Sequence, residues 1–412
     1  MKNKVNRFSV YLAALLLVAC ANKNKENDMK TFEKGTFGYD LNYLSEKDSL
    51  IVLKDNGAED AQVIVSPKYQ AKVFTSTVEG LAGKSLGYVN YKAIEATVPD
   101  EHMNGYGGEN RFWLGPEGGQ YSVYFEPGKE QVYDNWHTPK PIDTEAWDLV
   151  SAGNKKVAMK KEMQVKNYVG KELKLNVDRT VELIPVADIQ KTLGLALDPN
   201  VKSVAYTTLN TITNKNDFEW TKETGTICIW ILDMFNPAPK AVTIIPFNGG
   251  DEKELGVIAT TDYFGEIPAD RLAVKDNVMY MKTDGEFRSK LGMNALRTKS
   301  IAGNYDPESN RLTITTYNTN KEAIYLNQEW NPKKDPLKGD AMNAYNDGPL
   351  EDGSIMGPFF EIESTSEAAF LKPEESLSHT HNVYHFVGDI DKLNVISEKL
   401  LGVSLNDLDK VF

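Results

Sequence analysis

The residues best suited to chemistry are two glutamates and three histidines in the stretch 356–386: Glu361, Glu363, His379, His381 and His385. On a β-strand, residues separated by an even number of positions point to the same face. The two glutamates would therefore share one face of a strand, and the three histidines would share one face of the next. A turn at Pro373 would set these faces side by side. This hairpin is the first candidate for a functional site.

Imidazole and carboxylate groups in this arrangement suit three kinds of site, and the sequence leaves all three open. In the first, His379 and His381 bind a divalent metal ion together with Glu361, and open coordination positions take a substrate. In the second, no metal is involved, and His381, Glu361 and Glu363 exchange protons with a substrate or hydrogen-bond to it. In the third, the histidines only stabilise the fold.

A glycine-rich string at 105–120, GYGGENRFWLGPEGGQ, is the second candidate. Side chains that could contact a ligand lie in this string and in the aromatic stretch YDNWH that follows it: Glu109, Arg111, Trp113, Glu117, Trp136 and His137. Glycines let the backbone approach a ligand closely. One interpretation is a buried brace between the arginine and a carboxylate. The other is a sugar or metal site, in which the arginine donates to ligand oxygens and a carboxylate accepts from hydroxyl groups.

The elements that must position these residues are mostly strands. Short alternating or β-branched segments, separated by turn residues, predict strands at 61–65, 72–78, 86–91, 120–125, 156–166, 172–184, 203–213, 226–232, 241–247, 278–282 and 311–318. Several of these segments are long and amphipathic, which indicates large antiparallel sheets with one packed face. The fold class that we predict is therefore all-β.

The C-terminus has a helical pattern instead. Asp389 can cap a helix with regularly spaced apolar residues that Gly402 ends, and Ser404 opens a second short helix. We expect these short C-terminal helices to cover an edge or an end of a sheet.

The N-terminus has the pattern of a lipoprotein signal peptide. Three basic residues precede an apolar run that ends in LVAC, where Cys20 would carry the lipid after cleavage. The run is shorter than the roughly 20 apolar residues that a spanning helix needs. We expect residues 1–19 to be removed, residues 20–36 to form a flexible tether and residues 37–412 to fold as a single domain.

The acidic composition restricts location and partners. The formal net charge is −13, and cleavage removes three basic residues and no acidic one, which leaves −16. Such a body is a poor partner for nucleic acid. We expect membrane attachment through the lipid, at a Gram-negative outer membrane. The residues after Cys20 lack the acidic cluster of surface-export signals, which favours the periplasmic side. Cys228 lies among apolar residues, so we predict a buried and unreactive thiol.

Four strings together resemble a Bacteroidota-type, uncharacterised family of bacterial lipoproteins related to galactose mutarotases and aldose 1-epimerases: GGENRFWLGPEGGQYSVYF, NTITNKNDFEWTKETG, FFEIES and LKPEESLSHTHNVYHF. The resemblance covers nearly the whole mature chain. It implies a galactose mutarotase-like β-supersandwich and a carbohydrate ligand. Enzymes of that superfamily carry their general base on a Leu-Glu-Thr-type strand, and Ile362-Glu363-Ser364 looks similar. The resemblance thus makes Glu363 the candidate base.

The chain departs from the mutarotase pattern after the turn at 212–214. The segment TKETGTICIW lacks the histidine that mutarotases pair with their base, so we do not expect a simple mutarotase mechanism. If the protein is an enzyme, we expect proton abstraction and return at a sugar carbon or hydroxyl, as in an epimerase, an isomerase or a lyase. The alternative is a glycan-binding lipoprotein without turnover.

Overall fold

Antiparallel strands dominate the part of the chain that the structure, a computed structural model, describes: residues 32–55, 58–350 and 352–412. Phe32–Phe412 form one compact unit. The predicted signal peptide, the lipidated Cys20 and most of the tether lie outside the described residues. Among the described residues, no helix is both long enough and apolar enough to cross a membrane.

The strands follow one another along the chain with few helices between them. They are β1 (Ile51–Asp55), β2 (Ala58–Ser66), β3 (Lys72–Thr77), β4 (Arg111–Gly115), β5 (Asp148–Ala152), β6 (Lys156–Lys166), β7 (Glu172–Leu183), β8 (Lys202–Asn214), β9 (Cys228–Phe235), β10 (Val242–Pro246), β11 (Leu272–Lys275), β12 (Val278–Lys282), β13 (Ser289–Met293), β14 (Ile301–Asp306), β15 (Arg311–Tyr317), β16 (Met342–Asn346), β17 (Phe360–Thr365) and β18 (Ser376–Val387). The α-helices are α1 (Phe37–Ser45), α2 (Tyr91–Glu95), α3 (Val186–Leu193), α4 (Glu252–Leu255) and α5 (Ile390–Leu400), and 3-10 turns occur at Gly80–Ala82, Tyr133–Asn135, Lys140–Ile142 and Leu405–Lys410.

Three antiparallel sheets result from the pairing of these strands. The largest has ten strands in the order β11-β12-β10-β14-β15-β18-β8-β7-β6-β5, the second has five in the order β13-β16-β17-β9-β4, and the smallest is β1-β2-β3. Apolar residues of the ten-stranded and five-stranded sheets pack into one core, for example Val383 of β18 with Ile231 of β9 and Ile362 of β17. The predicted all-β class is confirmed.

The predicted hairpin of glutamates and histidines is wrong in one respect. β17 pairs with β16 and β9 in the five-stranded sheet, whereas β18 pairs with β15 and β8 in the ten-stranded sheet. The two strands therefore lie in different sheets that face each other across the core, and they do not form a hairpin.

Most predicted strands are confirmed, and two are wrong. The segment 86–91 makes only isolated bridges, and the Asn90 side chain then accepts a hydrogen bond of 3.2 Å from Ala93 N and caps α2. The segment 120–125 is a non-strand stretch whose aromatic residues are buried; the Tyr124 hydroxyl donates to Leu114 O at 2.8 Å. In both segments the apolar residues are buried but do not belong to a paired strand.

The C-terminal helices cover a face of a sheet instead of an edge or an end. Leu393 and Ile396 of α5 pack against Ile314 of β15 and Phe386 of β18, on the outer face of the ten-stranded sheet. Gly402 ends this helical region with a φ of 73°, a conformation that glycine adopts without strain. The apolar side of α5 is therefore buried against the outer face of this sheet.

Candidate functional site

The candidate site is a cleft on the face of the five-stranded sheet that is turned away from the ten-stranded sheet. Alternation along β17 sends Ser364 towards the ten-stranded sheet, where it contacts histidines, and sends Glu361 and Glu363 to the cleft. Neighbouring strands add residues of the same face in register: Lys290 pairs with Tyr345, Tyr345 with Glu361, Glu363 with Leu232, and Trp230 with Trp113.

Two carboxyl groups, each bonded by a cationic side chain, form the floor of this cleft. Arg111 Nη2 donates to Glu361 Oε1. Lys290 Nζ lies 3.1 Å from Glu363 Oε2, and the same oxygen accepts a hydrogen bond of 2.8 Å from Trp230 Nε1. Both pairs are buried, because none of the four charged side chains is more than 8% exposed. Such pairs persist only where the cation, the carboxylate and further donors match one another closely.

Burial changes the protonation of this floor. It raises the pKa of Glu361 to about 8, and the guanidinium of Arg111 opposes the shift only in part. Burial alone would lower the pKa of Lys290, but the carboxylates of Glu363 and Glu117 outweigh it, so that this pKa is raised. Burial also raises the pKa of Glu117. At neutral pH the floor therefore combines a protonated carboxyl at Glu361 with an ammonium at Lys290.

Aromatic rings form the walls. Trp136 stacks on Trp330 with ring centroids 5.9 Å apart, and Trp113 meets Trp230 edge-on at 5.5 Å. The cleft consists of a main cavity of about 520 Å³, lined by Trp330 among others, and a narrow part of about 90 Å³ that adjoins it. This size falls in the range of roughly 300–1,000 Å³ that is typical of small-molecule sites. A larger and more open cavity of about 1030 Å³ has a different lining, which includes Asp40 and Tyr91.

The structure brings together most of the side chains that the sequence singled out for binding. Those that line the main cavity or its narrow part are Glu117, Arg111, Trp113, Trp136 and Glu361. Glu363 does not itself line the cavity. It is bonded to Lys290, which lines both parts. Arg111 is paired with a carboxyl group, but that group belongs to Glu361 of β17 and not to the glycine-rich string. The sugar or metal site stays a prediction.

The predicted metal ligands His379, His381 and Glu361 are not brought together. Ser364 Oγ lies 2.8 Å from His379 Nε2 and 2.8 Å from His381 Nδ1, on the face of β17 opposite to Glu361. His381 Nε2 lies 2.7 Å from Asp233 Oδ2. Among the described residues, no group of three or more His, Cys, Asp or Glu side chains is arranged to hold a metal ion. The proposed acid His381 is likewise separated from the cleft, because the sheet lies between them.

Glu109 does not act with Arg111 as the sequence suggested. It is fully buried in the interior, where its Oε1 accepts a hydrogen bond of 2.7 Å from Ser76 Oγ and lies 3.0 Å from His385 Nε2. His385 Nδ1 lies in turn 2.8 Å from Thr313 Oγ1. Glu109 is therefore a partner of the third histidine in the core.

His137 is also placed away from the cleft. It is exposed and stacks on His102, with ring centroids 4.9 Å apart, while the neighbouring Trp136 turns into the cavity. Cys228 is buried, as predicted, and burial raises the pKa of its thiol to about 12.

Four cleft residues were not singled out by their sequence context: Trp230, Arg288, Lys290 and Trp330. Trp230 could have been recognised as a candidate, because it is a large aromatic residue within a predicted strand. Lys290 lies in β13, a strand that no sequence pattern indicated, and nothing local relates it to Glu363, which is 73 positions away.

The family described as a family of unknown function (DUF6786) matches residues 35–412. The chain belongs to this family. A comparison with curated proteins gives no match. Among solved structures, this family member is similar to a protein from Synechocystis sp. PCC 6803, with 11% identity, 83% of this chain and 96% of the other covered, and a TM-score of 0.49.

Two further solved structures have names that refer to galactose mutarotase. One is a galactose mutarotase-like protein from Lactobacillus casei ATCC 334, with 12% identity, 82% of this chain and 100% of the other covered, and a TM-score of 0.46. The other is a galactose mutarotase related enzyme from Lactobacillus acidophilus, with 7% identity, 82% and 97% covered, and a TM-score of 0.41.

Proposed function

We propose that the cleft binds a saccharide and that Glu361 and Glu363 move protons to and from it, as in an epimerase, an isomerase or a lyase. The observation that carries the proposal is the pair of carboxyl groups on one face of β17, each held by its own cation on the floor of an aromatic cleft. Tryptophan rings stack on the apolar faces of sugars, and charged groups bond their hydroxyls.

The two carboxyl groups have different roles in this proposal. Glu363 Oε1 has no hydrogen-bond partner among the described residues, and in this proposal it accepts a proton from a sugar hydroxyl or carbon. Glu361 holds a proton at neutral pH, because its pKa is about 8, and it returns a proton to the sugar. The positive charges of Lys290 and Arg111 stabilise the negative charge on the two carboxyl groups during the transfer. Proton exchange with solvent then restores both groups.

A glycan-binding protein without turnover is the second candidate. It is favoured by the placement of Glu363, which is 0% exposed and is already bonded to Lys290 and Trp230. In that case the carboxylate serves to position the Trp230 ring and the Lys290 ammonium as parts of a binding surface. Trp113, Trp136 and Trp330 then provide the stacking platforms.

The variant Glu363→Gln separates the two functions. For an enzyme, we expect turnover to fall by about 10²- to 10⁴-fold, as is typical when a general base is lost, while the Kd changes little. Turnover is followed by NMR on a panel of soluble saccharides, and the Kd by calorimetry. Glu322→Gln, an exposed glutamate, is the control. Saccharide binding with no turnover by the unaltered protein would establish the binder, and absence of any saccharide binding would contradict both functions.

We further propose that the mature protein is anchored through Cys20 to the outer membrane, on its periplasmic side. The proposal is supported by the N-terminal sequence, in which basic residues precede an apolar run that ends in LVAC. In cells fed labelled palmitate, the full chain should be labelled and should fractionate with the outer membrane, inaccessible to added protease. The Cys20→Ser variant should remain unlabelled. An unlabelled wild-type chain would contradict the anchor.

A further inference from the structure

Among the described residues, three cationic side chains line the cleft, and one of them forms no ion pair with a carboxylate. Arg111 is paired with Glu361, and Lys290 with Glu363. Arg288 lines both the main cavity and its narrow part. No carboxylate of the described residues forms an ion pair with it. Within the described part of the chain, the Arg288 side chain makes one hydrogen bond, from Nε to the Tyr345 hydroxyl at 3.3 Å.

Arg288 is nevertheless held in a defined position. Its guanidinium carbon lies 3.9 Å from the centroid of the Phe264 ring, a close cation–π contact. The Tyr345 hydroxyl that accepts from Nε donates to Asp347 Oδ1 at 3.0 Å. These contacts engage one face and Nε of the guanidinium, which leaves its two Nη groups for a ligand in the cavity. A planar guanidinium bonds carboxylate, sulfate and phosphate oxygens with two parallel hydrogen bonds.

Other unpaired donors surround the cavity. Three buried N–H groups have no hydrogen-bond partner among the residues that the structure describes: Gln328 Nε2, Trp136 Nε1 and Arg111 Nε. Gln328 is 4% exposed and lines the same cavity as Arg288, and its orientation is set because Oε1 accepts from Glu117 N at 3.2 Å. Buried N–H groups without an acceptor are costly, so a ligand rich in acceptors would stabilise this arrangement.

The carboxylates that line the main cavity are mostly engaged already. Glu329 pairs with Lys334. Asp347 accepts from the Tyr345 hydroxyl and, at 2.7 Å, from Gly357 N. Burial raises the pKa of Glu117, and the nearby cations Lys290 and Arg288 oppose this shift. The cavity therefore offers more free donors than free acceptors.

We propose that the saccharide carries an anionic oxygen substituent, a carboxylate or a sulfate ester, and that Arg288 binds this group together with Gln328. The inference rests on the proposed saccharide function and names its substrate class. Arg288 is then a specificity-determining residue, distinct from the Glu361 and Glu363 pair that moves protons.

The test compares oligosaccharides of equal length in neutral, uronate-containing and O-sulfated forms. We expect the acidic forms to bind at least tenfold more tightly than the neutral form, and this preference should shrink between 0.05 and 0.5 M salt. The Arg288→Gln variant should lose at least tenfold in affinity for the acidic form and change little towards the neutral one. Arg288→Lys should recover only part of the loss, because it keeps the charge without the planar fork.

The control variant is Lys202→Gln. It removes a positive charge from an exposed salt bridge between Lys202 and Glu79. It should leave every Kd unchanged. The uronate and sulfate arms show which oxyanion is preferred. Equal binding of neutral and acidic forms, or an equal loss for both in Arg288→Gln, would overturn the inference while leaving the saccharide function intact. Failure of every form to bind would contradict the saccharide function itself.

Discussion

At the scale of single residues, the most informative contrast is between Glu361 and Glu363. They are two positions apart on one face of β17, yet one is bonded by Arg111 and the other by Lys290 and Trp230. Burial raises the pKa of Glu361 to about 8, and a difference in surroundings is how paired carboxyl groups acquire separate acid and base roles. The proton-transfer proposal depends on this difference.

The pKa of Glu361 predicts the pH dependence of turnover. Because burial raises this pKa to about 8, the acid form is present below pH 8 and is lost as the pH rises through it. If Glu361 is the proton donor, kcat should decline as the pH rises through about 8. Glu361→Gln cannot donate a proton, so it should lower kcat by about 10²-fold or more and remove this decline. The profile is measured by NMR between pH 6 and 10.

The exposed control Glu322→Gln should keep the profile of the unaltered protein. A Glu361→Gln variant that retains both its rate and the decline above pH 8 would exclude Glu361 as the donor.

At the scale of elements, strand alternation predicted which residues share a face but could not predict which faces meet. Both β17 and β18 have the predicted alternation, and both are strands. Their positions in opposite sheets depend on pairing with β9 and β8, whose residues lie far away in the sequence. A local pattern contains no information on such pairings, so the histidines were expected beside the glutamates and lie behind them.

The same reasoning explains which parts of the site were predictable. Arg111 and Trp113 could be recognised, because they lie close together within one unusual string. Lys290 could not, because its role arises only when β13 joins β16 at the edge of the five-stranded sheet. The strand prediction at 120–125 was wrong because buried aromatic residues occur both in strands and in loops, and composition does not distinguish the two.

At the scale of the whole molecule, polar side chains link the two large sheets across their shared core. Ser364 of β17 bonds His379 and His381 of β18, and His381 also bonds Asp233 of β9. Ser364, His381 and Asp233 have the residue types of a catalytic triad, but they are buried between the two sheets, on the side of β17 opposite to the cleft. Burial lowers the pKa of His379 to about 3, which keeps this imidazole neutral. The network therefore stabilises the stacking of the sheets.

This structural role predicts the effect of His381→Ala. The substitution removes a buried hydrogen bond from both Asp233 and Ser364, whose remaining side-chain partners among the described residues are Asn110 and His379. We therefore expect the free energy of unfolding to fall by about 3–5 kcal/mol. Because the histidine faces away from the cleft, the folded fraction should keep its Kd for saccharide. Denaturant unfolding and calorimetry measure the two quantities. The exposed His137→Ala should change stability by less than about 0.5 kcal/mol. Elemental analysis of the purified mature protein completes the comparison, since stoichiometric metal that disappears in His381→Ala while stability is kept would replace the structural role with a metal site.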